Sequence, residues 1–461
     1  MTVQIPQEEL MQTARPGEWV ETAPTLLDLD FSRFRMRIDT DRYTSVGYQQ
    51  RERTAIWMRV WQIAGRTDEL PGPGDWKEYT ILDQSFVIVR GNDGELRGFV
   101  NACRHRGNKI CHGSGHAARI TCPYHLWSYD LEGRLRGVAR PDLVGPIDKG
   151  ELGLLEVPVD TLAGFIFLNP DRNAPALAEY VGEELIAMLA PYRLDEMTTV
   201  LDVREAIDCN WKVVIDAFQE GYHIQGIHPE LLRVIEVDPT TSRHRFFGDH
   251  SVACAPFEVA NSGSVGLEEQ LQGIRELPAT FPGVAEVLPR FEELVDAVRT
   301  EDGTLELPEG VTPRTILQRA TRETLTRKGL DVSGLTDAQM SDNHAFLLFP
   351  NFFMTIRAGE ATVITAVPHP GGDPNRCVWH IRSYYWLTPD LAEAFRAPPV
   401  EVTEPGSYEY FLALQQDYVQ MPRQQAGLRN SALEHMALVR EEVNIADFHE
   451  TVDRYLAASA S

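Results

Sequence analysis

The stretch from Cys103 to His125 constrains the chain more than any other, because it sets a Cys-x-His and a Cys-x-x-His sixteen residues apart. Cys103, His105, Cys122 and His125 together offer two soft thiolates and two imidazoles. An iron centre bound by cysteine alone needs four thiolates, whereas a two-iron, two-sulfide cluster in which histidines replace both cysteines on one iron needs two of each. On that reading Cys103 and Cys122 hold one iron and His105 and His125 the other. The chain must then fold with two loops, each carrying a Cys/His pair, reaching in from opposite sides. Tetrahedral structural zinc is the alternative for such a donor set. Finger-type spacings, however, pair Cys with Cys and His with His, and here each loop is mixed.

The flanks favour the cluster. Arg106-Gly107 and Pro123-Tyr124 let backbone approach closely and donate N–H groups to sulfide, a contact that tunes potential. The segment resembles the Rieske domain of bacterial ring-hydroxylating oxygenases, whose form is C-x-H-R-G followed by C-P-Y-H-x-W, and every fixed position is present, Trp127 included. Respiratory Rieske proteins add two cysteines joined as a disulfide. Tyr124 fills one of those positions here, so the resemblance implies no bridge and a low-potential centre.

A chain of 461 residues has room for such a domain and for a second with its own core. The net charge of −25, from 43 basic and 68 acidic side chains, argues against nucleic acid or an anionic membrane as partner. No apolar run approaches the roughly 18 residues that read as a membrane span. The N-terminus lacks the basic and apolar stretches of a secretory signal, so a soluble, cytoplasmic protein is expected. The remaining cysteines, Cys111, Cys209, Cys254 and Cys377, read as reduced, buried small residues.

Along the chain, the apolar spacing over Arg51 to Arg66 predicts an amphipathic helix. Phe86 to Val89 and Gly98 to Val100 flank Gly91-Asn-Asp-Gly94, a hairpin signal, and Gly164 to Pro170 reads as a last strand of this β-rich block. Beyond it, strands are expected at 199–207, 243–247, 352–356, 362–367 and 378–387. Helices are expected at 210–222, 284–298 and 315–328, with a long C-terminal pair over about 406–456. Strands in runs followed by helices in runs indicate an α+β second domain.

That domain carries the second constellation, Asn210-Trp-Lys-Val-Val-Ile-Asp-Ala-Phe-Gln-Glu-Gly-Tyr-His223 with His228 after four intervening residues. Positions five apart on a straight α-helix point about 140° away from each other. His223 and His228 can share an ion only if the helix ends or bulges between them, and Gly226 and Pro229 supply such a break. Asn-Trp-Lys followed by Glu-Gly-Tyr-His-x4-His resembles the mononuclear-iron motif of the same oxygenase family. Oxygen-activating non-haem iron uses two histidines and one carboxylate on one face, leaving positions open. The family's third ligand is an aspartate of a late helix, ahead of a glutamine and a Gly-Leu pair; Asp417, followed by Gln425 and Gly427-Leu428, matches. Its alternative is a solvated helix carboxylate. Pro422, inside that pattern, is expected to break or kink the helix.

The resemblance implies an α+β protein: an all-β Rieske [2Fe-2S] domain over 46–170 and an α+β helix-grip (START-like) catalytic domain with an antiparallel sheet over 171–461, with residues 1–45 packing on the latter. It also implies that Glu220, where most relatives have aspartate, bridges the two iron centres across a subunit boundary, with Asp216 as competing candidate. Asn210 and Tyr222 join the catalytic candidates as motif residues. Implied cofactors are one [2Fe-2S] cluster and one mononuclear Fe(II), with NAD(P)H acting through a reductase, since the chain shows no dinucleotide fingerprint of its own. Implied partners are a reductase, a ferredoxin, dioxygen and a small aromatic or hydrophobic substrate, in a homotrimer with or without a β subunit. The expected activity is a terminal oxygenase that dihydroxylates, monohydroxylates or oxidatively dealkylates. The alternatives are a monooxygenase or demethylase of a quaternary amine, steroid or terpenoid, and an electron-transfer protein without oxygenase activity. Residues 262–340 read as a lid or channel insertion, or as trimer packing. Phe346 to Phe353 reads as a pocket-wall strand, and Arg357 or Arg382 as a binder of substrate carboxylate.

Overall fold

A computed structural model describes residues 23–258 and 265–459. The chain divides into two compact units, one of 46–186 with 368–373 and 454–461, the other of 1–45, 187–367 and 374–453. The start of the expected insertion, 262–264, lies outside the described residues, as do 1–22 of the expected N-terminal segment.

The first unit is built from short antiparallel strands. Five form one sheet, in the order Glu156–Val157, Leu96–Val100, Gln84–Arg90, Asp75–Ile81, Ser114–His116. The Gly91 turn joins Gln84–Arg90 to Leu96–Val100 as the hairpin signal predicts, with Arg90 opposite Leu96. Ile120–Thr121, Ser128–Tyr129 and Leu135–Gly137 make a small sheet whose first hairpin loop is 122–127. The helix expected over 51–66 is displaced. Helix Val46–Glu52 continues as a π-turn, Arg53–Trp57, and Gln62–Arg66 is instead a strand paired with Phe165–Leu168. Trp57, Val60, Trp61 and Ala64 are all buried, so this apolar run is core-facing throughout, a pattern that does not distinguish helix from strand.

The second unit centres on an eight-stranded sheet, ordered Arg243–Phe247, His250–Ala255, Asn343–Leu348, Phe352–Arg357, Glu360–Pro368, Cys377–Tyr385, Thr198–Ile207, Val400–Val402. The Thr198–Ile207 to Cys377–Tyr385 pair is antiparallel, and Val400–Val402 adds to Thr198–Ile207 in parallel. This fits the α+β helix-grip expectation. Phe346 to Phe353 is not one strand: the chain turns at 349–351 between Asn343–Leu348 and Phe352–Arg357, which pair with each other.

Helices cover this sheet. Trp211–Phe218 is capped by the Asn210 side chain, which accepts from the Lys212 N–H. Helix Leu412–Leu428 runs through Pro422 without ending, so of the expected break or kink the break does not occur. Its buried positions Leu414, Asp417, Tyr418, Met421, Gln425 and Leu428 recur every three or four residues, and anchoring on both sides of Pro422 outweighs the lost backbone hydrogen bond. Helices Leu267–Glu276, Leu288–Asp296 and Pro313–Arg327 share a core of Leu271, Phe291, Leu294 and Leu317 that continues onto Leu231, Ile235 and Phe257. Among the described residues, no helix is long and apolar enough to cross a membrane.

Candidate functional site

In the first unit, the two Cys/His loops are closed by their own backbone. Cys103 N–H donates to the Asn108 carbonyl at 2.8 Å, and Cys122 N–H to that of Trp127 at 2.8 Å. Each loop turns on a left-handed residue, Gly107 (φ +73°) and Leu126 (φ +57°). The thiols are buried, while His105 is exposed and His125 half-buried. The two imidazoles lie 4.6 Å apart, and His105 stacks on Trp127 at 4.8 Å. Tyr129 Oη stands 3.3 Å from Cys103 Sγ, placing a polar hydrogen where it can tune a sulfur ligand. Desolvation, then the charges of His105 and Arg106, hold His125 below its usual pKa, the direction that favours a coordinating ring. The donor set, paired on two loops with thiolates inside and imidazoles outside, fits a [2Fe-2S] cluster.

In the second unit the helix of the Asn-Trp-Lys motif ends at Phe218, well before the predicted Tyr222. His223 and His228 then flank a separate single turn, Ile224–Ile227. This is the break that spacing five requires. Asp417 arrives from helix Leu412–Leu428, and one ligand atom from each of the three lies within 4.8 Å of the others. His228 Nε2 is 3.2 Å and His223 Nε2 3.7 Å from Asp417 Oδ1.

The outer nitrogens explain why both Nε2 atoms face inward. His223 Nδ1 lies 2.6 Å from Glu220 Oε1, and His228 Nδ1 lies 2.7 Å from Gln416 Oε1. An Nδ1–H donated to either oxygen leaves Nε2 as the free electron pair. Glu220 also accepts the His223 backbone N–H at 3.0 Å. Burial opposes charge on His223, but the Glu220 hydrogen bond and charge, with Asp417 and Glu442, outweigh it and raise the imidazole's pKa. Two imidazoles and a carboxylate on one wall of a cavity fit the facial triad of mononuclear non-haem iron. The Asp417 helix is held in place by Glu205, whose buried carboxylate accepts from Tyr410 and Tyr418, each at 2.7 Å.

The triad opens on a cavity walled by Phe218, Leu231, Phe281, Phe353, Ile364 and Leu414 among others. Thr280 and Phe281, from the segment expected to be an insertion, contribute to this wall, and so does Arg357. Arg382 lies elsewhere, against His380 and Asp202. Asp216 is buried against Tyr43 Oη at 2.6 Å and His449 Nε2 at 3.4 Å, away from the cavity wall. Asn210 and Tyr222 do not line the cavity either. Asn210 is a buried cap that also donates to the carbonyls of Tyr43 and Pro374, and Tyr222 is 51% exposed. Sequence reasoning missed Gln416 and Glu205. Gln416 neighbours Asp417 in sequence, and that adjacency was the available signal.

The family model of the Rieske [2Fe-2S] domain matches residues 60–147, and that of the ring hydroxylating alpha subunit catalytic domain matches residues 194–458. The chain is 37% identical over 191 residues to the glycine betaine monooxygenase oxygenase subunit of Chromohalobacter salexigens, covering 41% of this chain and 42% of that one. It is 34% identical over 204 residues to the carnitine monooxygenase oxygenase subunit of Acinetobacter pittii (42% and 53%). It is 35% identical over 202 residues to the biphenyl 2,3-dioxygenase subunit alpha of Rhodococcus jostii (41% and 42%). The matches thus span about half the length of these curated relatives. Among solved structures, a quaternary ammonium Rieske monooxygenase superposes with a TM-score of 0.62 at 21% identity, covering 91% of this chain and 95% of that one. A naphthalene 1,2-dioxygenase mutant superposes with a TM-score of 0.65 at 19% identity (92% and 93%). At these identities the likeness concerns the fold.

Proposed function

We propose, from the premise that the chain belongs to the family of ring hydroxylating alpha subunits, that it is a terminal oxygenase acting on a small, largely apolar substrate. The observation that carries this reading is the His223, His228, Asp417 triad facing a cavity walled by Phe218, Phe353 and Ile364. When bound, a Rieske cluster supplies single electrons and a mononuclear iron activates dioxygen. The residues do the rest. The buried Cys103 and Cys122 and the more exposed His105 and His125 would hold the cluster. Glu220 and Gln416 fix the orientation of the two triad imidazoles. The apolar wall binds the substrate body, strips water from it and sets which carbon faces the triad.

A separate reductase, with or without a ferredoxin, is the proposed electron source, drawing on NAD(P)H. A second copy of this chain is the proposed neighbour that meets Glu220 through His125, in a homotrimer; the solvent-facing His105 and Tyr124, the latter 58% exposed, support an imidazole edge made to meet a partner. A quaternary amine is the second reading of the substrate, favoured by similarity to the glycine betaine and carnitine oxygenase subunits. The test is a single turnover of iron-loaded, chemically reduced protein with isotopically labelled dioxygen and a panel of small apolar compounds. Label in an organic product from the natural protein and none from Asp417→Ala is expected. Oxygen consumption with no labelled product from any compound contradicts the proposal.

A further inference from the structure

Resting on the oxygenase reading, the cavity also specifies the charge of its substrate. We infer that the substrate is uncharged, with an apolar body and a hydrogen-bond-accepting oxygen at the end held by Arg357. Two adjacent strands, Phe352–Arg357 and Glu360–Pro368, form the wall that grades from apolar to polar. Phe353 stands opposite Ile364, Thr355 opposite Thr362, and Arg357 opposite Glu360. These alternate positions share a face, and all six line the cavity. Phe353 stacks on Phe218 at 5.7 Å, and Arg357 lies four residues further on, roughly 13 Å along the strand. That separation suits a two-ring body with one polar end.

Arg357 and Glu360 are 7% and 8% exposed and joined by a 2.9 Å contact from Nη2 to Oε2. A buried ion pair is often no more stabilising than apolar residues of the same volume, so stability alone gives little reason for this one. The guanidinium is held over the Phe281 ring at 4.2 Å. Its other N–H groups have no hydrogen-bond partner among the described residues. Donors that meet no protein acceptor are free for a molecule entering the space they line; Arg357 lines the cavity of the triad, as it also lines a second cavity beside Gly283 and Tyr385.

Charge decides which acceptor. The ionisable residues on the wall are the carboxylates of Glu220, Glu360 and Asp417, the imidazoles of His223 and His228, and Arg357. With a divalent iron held by neutral imidazoles, Arg357 would bring the charge of the three carboxylates into balance. A substrate carboxylate would then bury an unpaired negative charge beside Glu360. A quaternary ammonium, the second reading above, would bury an unpaired positive one, and at the Arg357 end of the cavity the Phe281 face is already covered by that guanidinium.

The test is calorimetric binding to the iron-loaded full chain of phenylcyclohexane and its ring ketone, carboxylate and trimethylammonium derivatives. The ketone is expected to bind about tenfold or more tighter than the hydrocarbon, as a hydrogen bond to a charged donor allows, and tighter than either ion. In the charge-neutral double variant R357M/E360M the ketone's advantage over the hydrocarbon is expected to vanish. Tightest binding of either ion, an advantage that survives in the double variant, or binding of none of the four overturns the inference. These outcomes leave the mononuclear iron content, and with it the oxygenase reading, untouched. A chain that takes up no mononuclear iron overturns that reading instead, before any probe is added.

Discussion

Gln416 shows how one uncharged side chain determines what a histidine can do. Its carboxamide oxygen, 2.7 Å from His228 Nδ1, directs Nε2 toward Asp417. Gln416→Ala should lower mononuclear iron affinity about 10–100-fold, the usual loss for an outer partner of a ligating histidine. Iron titration with cluster absorbance as internal control measures this; unchanged affinity would show that packing alone orients the ring. Glu441 makes a second prediction at this scale. Burial, then the Glu220 charge, pushes its pKa from 4.5 up to about 8. A carboxyl whose folded pKa exceeds its unfolded one adds stability when protonated, and loses it as pH rises through the folded value. The melting temperature should therefore fall between about pH 5 and pH 8, and Glu441→Gln should flatten that fall. An identical slope in the variant would assign the effect to other groups.

Among the elements, helix Leu412–Leu428 carries the most consequence, because it delivers both Asp417 and Gln416. Pro422 costs this helix a hydrogen bond, so Pro422→Ala should stabilise the protein, by up to about 3 kcal/mol. A urea midpoint that falls instead would mean the proline ring packs usefully. Gly273, in helix Leu267–Glu276, lies so near the segment after His228 that a Cβ would stand 2.8 Å from side-chain atoms of Arg233 and Val234. Gly273→Leu should cost about 1–3 kcal/mol by overpacking, read by the same midpoint. The single turn Ile224–Ile227 was legible only as a requirement: spacing five demands a break, and Gly226 with Pro229 marked its surroundings. The strand Gln62–Arg66 was not legible, since residues buried on every side lose the periodicity that separates helix from strand. Strand His250–Ala255 went unread for a similar reason, with four of its six residues buried.

Across the whole molecule, composition and two short motifs carried the two-centre reading, because iron ligands are chemically distinctive and their order along the chain is open to inspection. The ion pair Arg357–Glu360, the Glu205 anchor and the placement of Asp216 against Tyr43 were hidden, since each joins residues whose partners depend on strand register or on packing between distant segments. The candidates Asn210 and Tyr222 show the converse: a motif position can hold a helix cap or face solvent. At this scale the prediction is that the chain holds two separate iron centres. It is tested most directly by iron and acid-labile sulfide per chain in anaerobically purified protein, with electron paramagnetic resonance of the reduced cluster, in the natural protein and in His223→Ala. Three irons and two sulfides are predicted, falling by one iron in the variant while the cluster signal persists. Two irons in both proteins would contradict the account and leave an electron carrier.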